Sequence, residues 1–371
     1  PNASMIIPND FEWLSPKGGK GWNTDFQWDR PLFLGEFGMG LSNDNYSSVV
    51  GDEYYTWSKW ETREMAERND GIYQNSIENP FMEYLKMRIV HLRNAGVAGL
   101  NPWAGYFPHV LAMKQVAPLN YHANVSGGGT LKRKIAVFND TTESKPIHKI
   151  RWYLCLDSDI LHRGVRNINL GEGGKWSGTL EIPVPETAKP LKARLIVRAL
   201  WLRGKVEVEQ SRFEEEINIF PKQDLSDLKT KIAVMDPKGS LAEILKTMNL
   251  SGISSSPDGK KLLIVAREAW SPSMNGMLDK FAESGGTVLM MPQKGWKPWR
   301  TELPERDPLH AASRSWIRRP EHPAVQGVDN SALSYWLNDN IISYETFFKP
   351  VQGNVTAILD CGGRSSMVPA P

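Results

Sequence analysis

A chain of 371 residues is too long for one small domain and implies two or three. Hydrophobic residues at 40% and charged residues at 23% are ordinary for a globular protein, and a net charge of +2 gives no electrostatic case for nucleic acid or an anionic membrane. No apolar run is long enough to span a bilayer.

The sequence opens on Pro1-Asn2-Ala3 with neither Met nor signal peptide and closes on Met367-Val368-Pro369-Ala370-Pro371. It reads as a piece cut at both ends, which leaves secretion or periplasmic export unjudged. Cys155 and Cys361 sit in separate segments, so free thiols are expected instead of a disulfide. The histidines show no metal-ligand spacing. Tryptophan is abundant, with 14 copies; indoles serve cores most often and sugar-stacking platforms less often.

Residues 1–28 read as a strand and loop punctuated by Phe11, Trp13, Trp22, Phe26 and Trp28. Then comes Arg30-Pro31-Leu32-Phe33-Leu34-Gly35-Glu36-Phe37-Gly38, a short apolar run of the kind buried on both faces, closed by an acid between glycines. A carboxylate just past a parallel strand emerges at the rim where α/β enzymes build their sites. A plain solvated Glu in a turn is the competing reading. Asn79-Pro80 starts a helix whose face carries Phe81, Tyr84, Leu85, Ile89 and Leu92 and which stops at Gly96. A second buried strand, Val97 to Leu100, runs into Asn101-Pro102-Trp103, so strand, helix and strand make one step with both polar ends at one rim.

Pro31-Leu32-Phe33-Leu34-Gly35-Glu36-Phe37-Gly38 followed by Gly96-Val97-Ala98-Gly99-Leu100-Asn101-Pro102-Trp103 resembles the last two strands of a (β/α)8 glycoside hydrolase of the β-galactosidase and cellulase-like superfamily. The resemblance implies that Glu36 is the catalytic nucleophile of a retaining reaction and that Trp103 floors the sugar subsite. Asn101, Tyr106, Tyr46 and Trp57 are the further substrate-binding candidates, with Tyr54, Tyr55 and Trp60 beside them. It also implies a β-linked oligo- or polysaccharide substrate and no cofactor or metal. The general acid/base of that family follows an earlier strand, and no Asn-Glu pair occurs in this sequence to supply it.

Beyond residue 120 the texture changes. Gly127-Gly128-Gly129 reads as a linker. Period-2 strands come next at Lys134–Phe138, Ile150–Leu154, Gly178–Ile182, Ala193–Val197 and Phe213–Ile219, with turn signals between them. Their layout resembles the immunoglobulin-like domains that follow the barrel in β-galactosidase-type enzymes. The run Glu214-Glu215-Glu216 reads as a strand edge facing water. From about residue 229 strands alternate with helices: Ile232–Met235, a helix from Leu241, Leu262–Val265, a helix over Met274–Ala282, then Val288–Met291. That alternation resembles the glutamine-amidotransferase-like domain of trimeric β-galactosidases. Where such enzymes place a Cys after a central strand, Pro292-Gln293 stands here, and the domain reads as a structural or homo-oligomerisation module with no chemistry of its own. Asp236-Pro237-Lys238-Gly239-Ser240 lacks the glycines of a phosphate loop and reads as a turn with a helix cap.

The expected architecture is therefore multidomain: the end of a (β/α)8 barrel over 1–122, an all-β immunoglobulin-like sandwich over 123–223, and an α/β doubly wound domain with a parallel sheet over 224–371. The rival to a glycosidase is a non-catalytic carbohydrate-binding or assembly module.

Overall fold

The computed structural model describes residues 32–37, 89–90, 92–102, 115–141, 145–293, 299, 306–307, 315–317, 319–333, 335, 346–347 and 356–360. Two compact units emerge: one is Pro1–Phe220 with Asp307–Pro350 and Ala357–Pro371, the other Pro221–Arg306 with Val351–Thr356.

In the first unit, strand β1 (Leu32–Phe37) pairs in parallel with β2 (Val97–Pro102). Helical residues just before β2 bury Ile89 and Leu92, and Gly96 closes them at φ 100°, a backbone state that favours glycine. Arg93 ties this turn to Phe138 and Asp140. Its guanidinium pairs with the Asp140 carboxylate and lies 3.9 Å from the centre of the Phe138 ring.

Two sheets then share one core. The first has the order β3 (Val116–Pro118), β5 (Thr130–Phe138), β8 (Lys175–Pro183). The second runs β4 (Asn124–Ser126), β10 (Val206–Phe220), β9 (Leu191–Arg203), β6 (Ile147–Leu156), β7 (Asp159–Leu170). Neighbours are antiparallel except β4 and β10. Alternation decides what faces inward: Leu131, Ile135 and Val137 from one sheet meet Ile150, Leu154, Leu195, Val197, Phe213 and Ile217 from the other. Gly127-Gly128-Gly129, expected as a linker, is a tight turn between β4 and β5. Gly129 N–H donates to Ser126 O, Gly127 N–H to Phe220 O and Gly128 N–H to Pro185 O. A Cβ on Gly129 would stand 2.8 Å from the Ser126 oxygen, so the turn needs a residue without one.

Arg133 takes an inward position on β5 and is fully buried. Its Nε donates to Glu215 Oε1 at 2.6 Å, Nη1 to the Asn120 carbonyl and side chain, and Nη2 to His122 O at 2.9 Å. Glu215 therefore departs from the water-facing reading of Glu214-Glu215-Glu216. Its neighbours are exposed, while the alternation of β10 sends Glu215 into the sandwich. Trp152, opposite Gly164, fills the core in a space that a side chain at 164 would close, since a Cβ there would lie 2.1 Å from the indole.

Residues 315–317, 319–333 and 335, expected in the α/β domain, belong with this sandwich. Asn124 Nδ2 donates to Ala332 O at 3.0 Å, Lys192 pairs with Asp329 at 3.1 Å, and the Tyr121 and Tyr335 rings stand 5.6 Å apart. Trp316–Ile317 pairs antiparallel with Leu359–Asp360 in the same unit.

The second unit is built on β11 (Ile232–Met235), β12 (Leu262–Val265) and β13 (Thr287–Met290), parallel and in that order. Successive residues go to opposite faces. Ile232 and Val234 join Leu241 near helix α1 (Ala242–Thr247), while Ala233, Leu263 and Val265 join Leu278 and Phe281 of helix α2 (Asn275–Glu283). Helices on both faces explain why these strands read as unbroken apolar runs.

The packing around Arg133 and Trp152 can be tested by mutation. Glu215→Ala leaves the Arg133 guanidinium buried without its carboxylate and is expected to cost about 3 kcal/mol in urea unfolding. An Arg133→Met/Glu215→Leu double variant removes the unpaired charge but also the donors to the Asn120 and His122 carbonyls, so it should recover only part of that loss. Gly164→Ala forces the Trp152 ring out of place and is expected to cost about 1–3 kcal/mol, read as a lowered Tm.

Candidate functional site

Pairing of β1 with β2 matches Leu32 with Val97, Phe33 with Gly99, Leu34 with Leu100 and Phe37 with Pro102. Glu36 is the penultimate residue of β1, and Asn101 holds the same place in β2. Because the strands are parallel, both come to the C-terminal end of the pair, the end at which parallel α/β sheets carry their chemistry. The register is irregular between Leu34 and Phe37, so the backbone departs from regular pairing at Gly35-Glu36. Trp103, Tyr106, Tyr46, Trp57, Tyr54, Tyr55 and Trp60 lie outside the described residues, as do Cys361 and the expected helix start at Asn79-Pro80.

A second rim forms at the C-terminal ends of β11, β12 and β13. Its first loop, Asp236 to Ser240, is filled by its own aspartate. Oδ1 accepts from the Ser240 N–H at 2.9 Å and the Ser240 hydroxyl at 3.0 Å, and Oδ2 from the Leu241 N–H at 2.7 Å. The N–H groups that an anion would use are therefore occupied. Partial burial pushes the Asp236 carboxyl up, but these donors outweigh it and hold the group below the usual aspartate range. The second loop carries Glu268 at φ 58°, with its carboxylate 3.0 Å from Lys238 Nζ. In the third, Gln293 is buried; its Oε1 accepts from Trp270 N–H at 2.9 Å, and its Nε2 donates to Ala266 O at 2.8 Å and Met291 O at 2.7 Å. Each amide atom of Gln293 is engaged by backbone. A carboxamide is no nucleophile, and here it is a clamp across two loops. Its sequence signal was slight: Pro292-Gln293 was legible only as the place where a Cys would stand. Among the described residues no cluster of His, Cys, Asp and Glu can hold a metal ion, and no helix is long and apolar enough to cross a membrane.

No family model and no curated protein matches the chain. Among solved structures, it is similar to a β-glucosidase from Listeria innocua solved with isofagomine, at 11% identity over 28% of this chain and 16% of that one, with a TM-score of 0.22. A family 123 glycoside hydrolase from Clostridium perfringens is similar at 13% identity over 41% of this chain and 35% of that one, TM-score 0.20. The sporulation control protein Spo0M from Bacillus subtilis matches at 11% identity over 29% of this chain and 49% of that one, TM-score 0.20. The chain thus spans 16% of the length of the β-glucosidase and 35% of the Clostridium enzyme. Two glycoside hydrolases stand among these distant likenesses, and TM-scores this low lend them no functional weight.

Asp236→Ala removes three hydrogen bonds at the start of α1 and is expected to destabilise the second unit by about 1 kcal/mol. Because the folded-state pKa of Asp236 is depressed, its contribution is fully present above the ordinary aspartate pKa of about 3.9 and is lost as pH falls through the lower folded value. Denaturation midpoints measured from pH 6 down to pH 2 should therefore converge for wild type and variant at the acid end.

Proposed function

We propose that this chain is part of a retaining glycoside hydrolase acting on a β-linked glycoside, with Glu36 as the nucleophile. The observation that carries the reading is the parallel pairing of β1 and β2, which sets Glu36 and Asn101 at one end of neighbouring strands. On this reading β1 and β2 are the closing strands of a (β/α)8 barrel. The strand order β4-β10-β9-β6-β7 against β3-β5-β8 supports an immunoglobulin-like assignment for the sandwich, and the three-stranded parallel sheet is an amidotransferase-like assembly module without chemistry.

In a retaining reaction the carboxylate attacks the anomeric carbon while a second carboxyl, about 5–5.5 Å away, protonates the leaving oxygen. The glycosyl-enzyme ester that forms is then opened by water, with the second carboxyl acting as base. Glu36 fills the first role. The second belongs to an acid on an earlier barrel strand. Asn101 donates to a sugar hydroxyl, and Trp103 stacks beneath the ring.

The test uses the enzyme bearing its upstream strands. Incubation with 2,4-dinitrophenyl 2-deoxy-2-fluoro-β-glycosides of several sugars should leave a stable glycosyl mass on the peptide containing Glu36, because fluorine slows both steps while the dinitrophenolate leaving group keeps the first one fast. Glu36→Gln should abolish the label and lower kcat by several orders of magnitude, on the order of 5 kcal/mol of transition-state stabilisation. Azide should restore partial turnover to Glu36→Ala. A label on another carboxylate, or a Glu36→Gln enzyme keeping a tenth of the wild-type kcat, would overturn the assignment.

A further inference from the structure

The outward face of the five-stranded sheet carries an arrangement of charge that its own residues do not balance. Arg151 of β6, Arg198 of β9 and Arg212 of β10 stand directly opposite one another across three adjacent strands. Like charges facing each other across a ladder are unfavourable, and counter-charges must hold them. Glu207 takes Arg151 at 2.7 Å but also takes Lys149. Glu209 takes Arg198 and also Arg212, the latter at 3.5 Å. Glu214 lies 3.4 Å from Arg212 and 3.6 Å from Arg194. Each carboxylate is shared by two cations.

One row further along, Arg163 of β7 stands opposite Tyr153, which stands opposite Ile196. Arg163 is exposed and has no carboxylate partner among the described residues. Arg151, Tyr153, Arg163, Gly164 and Val165 line an open groove of about 410 Å³. Its lining thus combines a tyrosine, an exposed valine and two arginines, of which Arg163 has no carboxylate partner among the described residues. An aromatic ring suits the C–H face of a sugar, and a guanidinium fork suits a carboxylate or sulfate.

We propose that this groove binds an acidic polysaccharide, with the anionic group of one sugar on Arg163 and its ring over Tyr153. The choice of a sugar rests on the glycosidase reading above, while the preference for an anionic one rests on the sheet itself. The groove then works as an accessory subsite on the sandwich, remote in sequence from Glu36. An acidic peptide or DNA would also be drawn by the charge, but neither needs the Tyr153 ring, so Tyr153 discriminates between them.

The experiment measures binding by the chain itself, without turnover. Native gels are cast with polygalacturonate, with dextran sulfate or with neutral dextran, and migration gives the dissociation constant. Wild type should be retarded by at least one polyanion and not by dextran, and the arms tell carboxylate from sulfate recognition. Arg163→Glu, an exposed change checked by an unaltered melting curve, should weaken binding about tenfold or more, and Tyr153→Ala likewise. Lys189→Glu, on an exposed loop, makes the same change in net charge and should shift the constant less than about twofold. Glu36→Gln should bind as wild type does, so failure of the nucleophile assignment and failure of this site are separable. The proposal falls if no polyanion retards the chain, if neutral dextran does so equally, if Arg163→Glu or Tyr153→Ala binds the polyanion as wild type does, or if a DNA duplex binds more tightly than every polyanion.

Discussion

A guanidinium inside a β-sandwich governs much of what surrounds it. Arg133 occupies a position that alternation assigns to an apolar side chain, and burying it is tolerable only because its donors meet fixed acceptors. Those acceptors come from three places: Glu215 on the facing sheet, the Asn120 carbonyl and amide, and the His122 carbonyl. The strands on either side of residues 120–122 belong to different sheets, β3 to one and β4 to the other. The connection that crosses between sheets is thus held by the side chain of a strand it passes. Asn120 adds a further tie, accepting from the Lys134 N–H at 2.7 Å and donating to Lys132 O at 3.1 Å. A hydrophobic isostere at position 133 would pack, but it would leave the crossover's carbonyls without these side-chain donors.

The two faces of the five-stranded sheet treat charge in opposite ways. Inside, one cation and one carboxylate are matched and largely withdrawn from water. Outside, cations outnumber the carboxylates that reach them, and Arg151 and Arg163 line one groove with Tyr153. The near-neutral net charge of the whole chain hides this, because net charge sums over faces that a ligand never meets together.

Where periodicity was strong, the sequence was legible. The parallel strands at Ile232–Met235 and Leu262–Val265 carry unbroken apolar runs because helices cover both their faces, and Gly96 marked the end of its helix through a positive φ. Strand β7 was not legible: it is an edge strand, exposed along much of its length, and Arg163, Gly164, Arg166 and Asn167 break the alternation on which a reading depends. Strands β3 and β4 have three residues each and too short a pattern to register. The glycines at 127–129 misled because flexibility and the demand for a Cβ-free turn write the same letters. Of the candidate site, the strand ends bearing Glu36 and Asn101 were legible from two apolar runs and the helix between them. Nothing in the sequence signalled the Arg133–Glu215 pair or the row Arg151, Arg198 and Arg212, since cross-strand partners depend on register, which local composition leaves open.

The clamp at Gln293 bears on how this unit can change over time. A reactive side chain at that strand end would have to arise by replacing an amide that satisfies the Trp270 N–H and the carbonyls of Ala266 and Met291 together. Cysteine or serine is too short to reach all three. The Ala266 carbonyl still accepts from the Ala269 N–H, but the Trp270 N–H and the Met291 carbonyl lose this partner, at about 1–3 kcal/mol for each group kept from water. A single substitution toward chemistry would therefore pass through a loosened sheet rim before any activity could repay it.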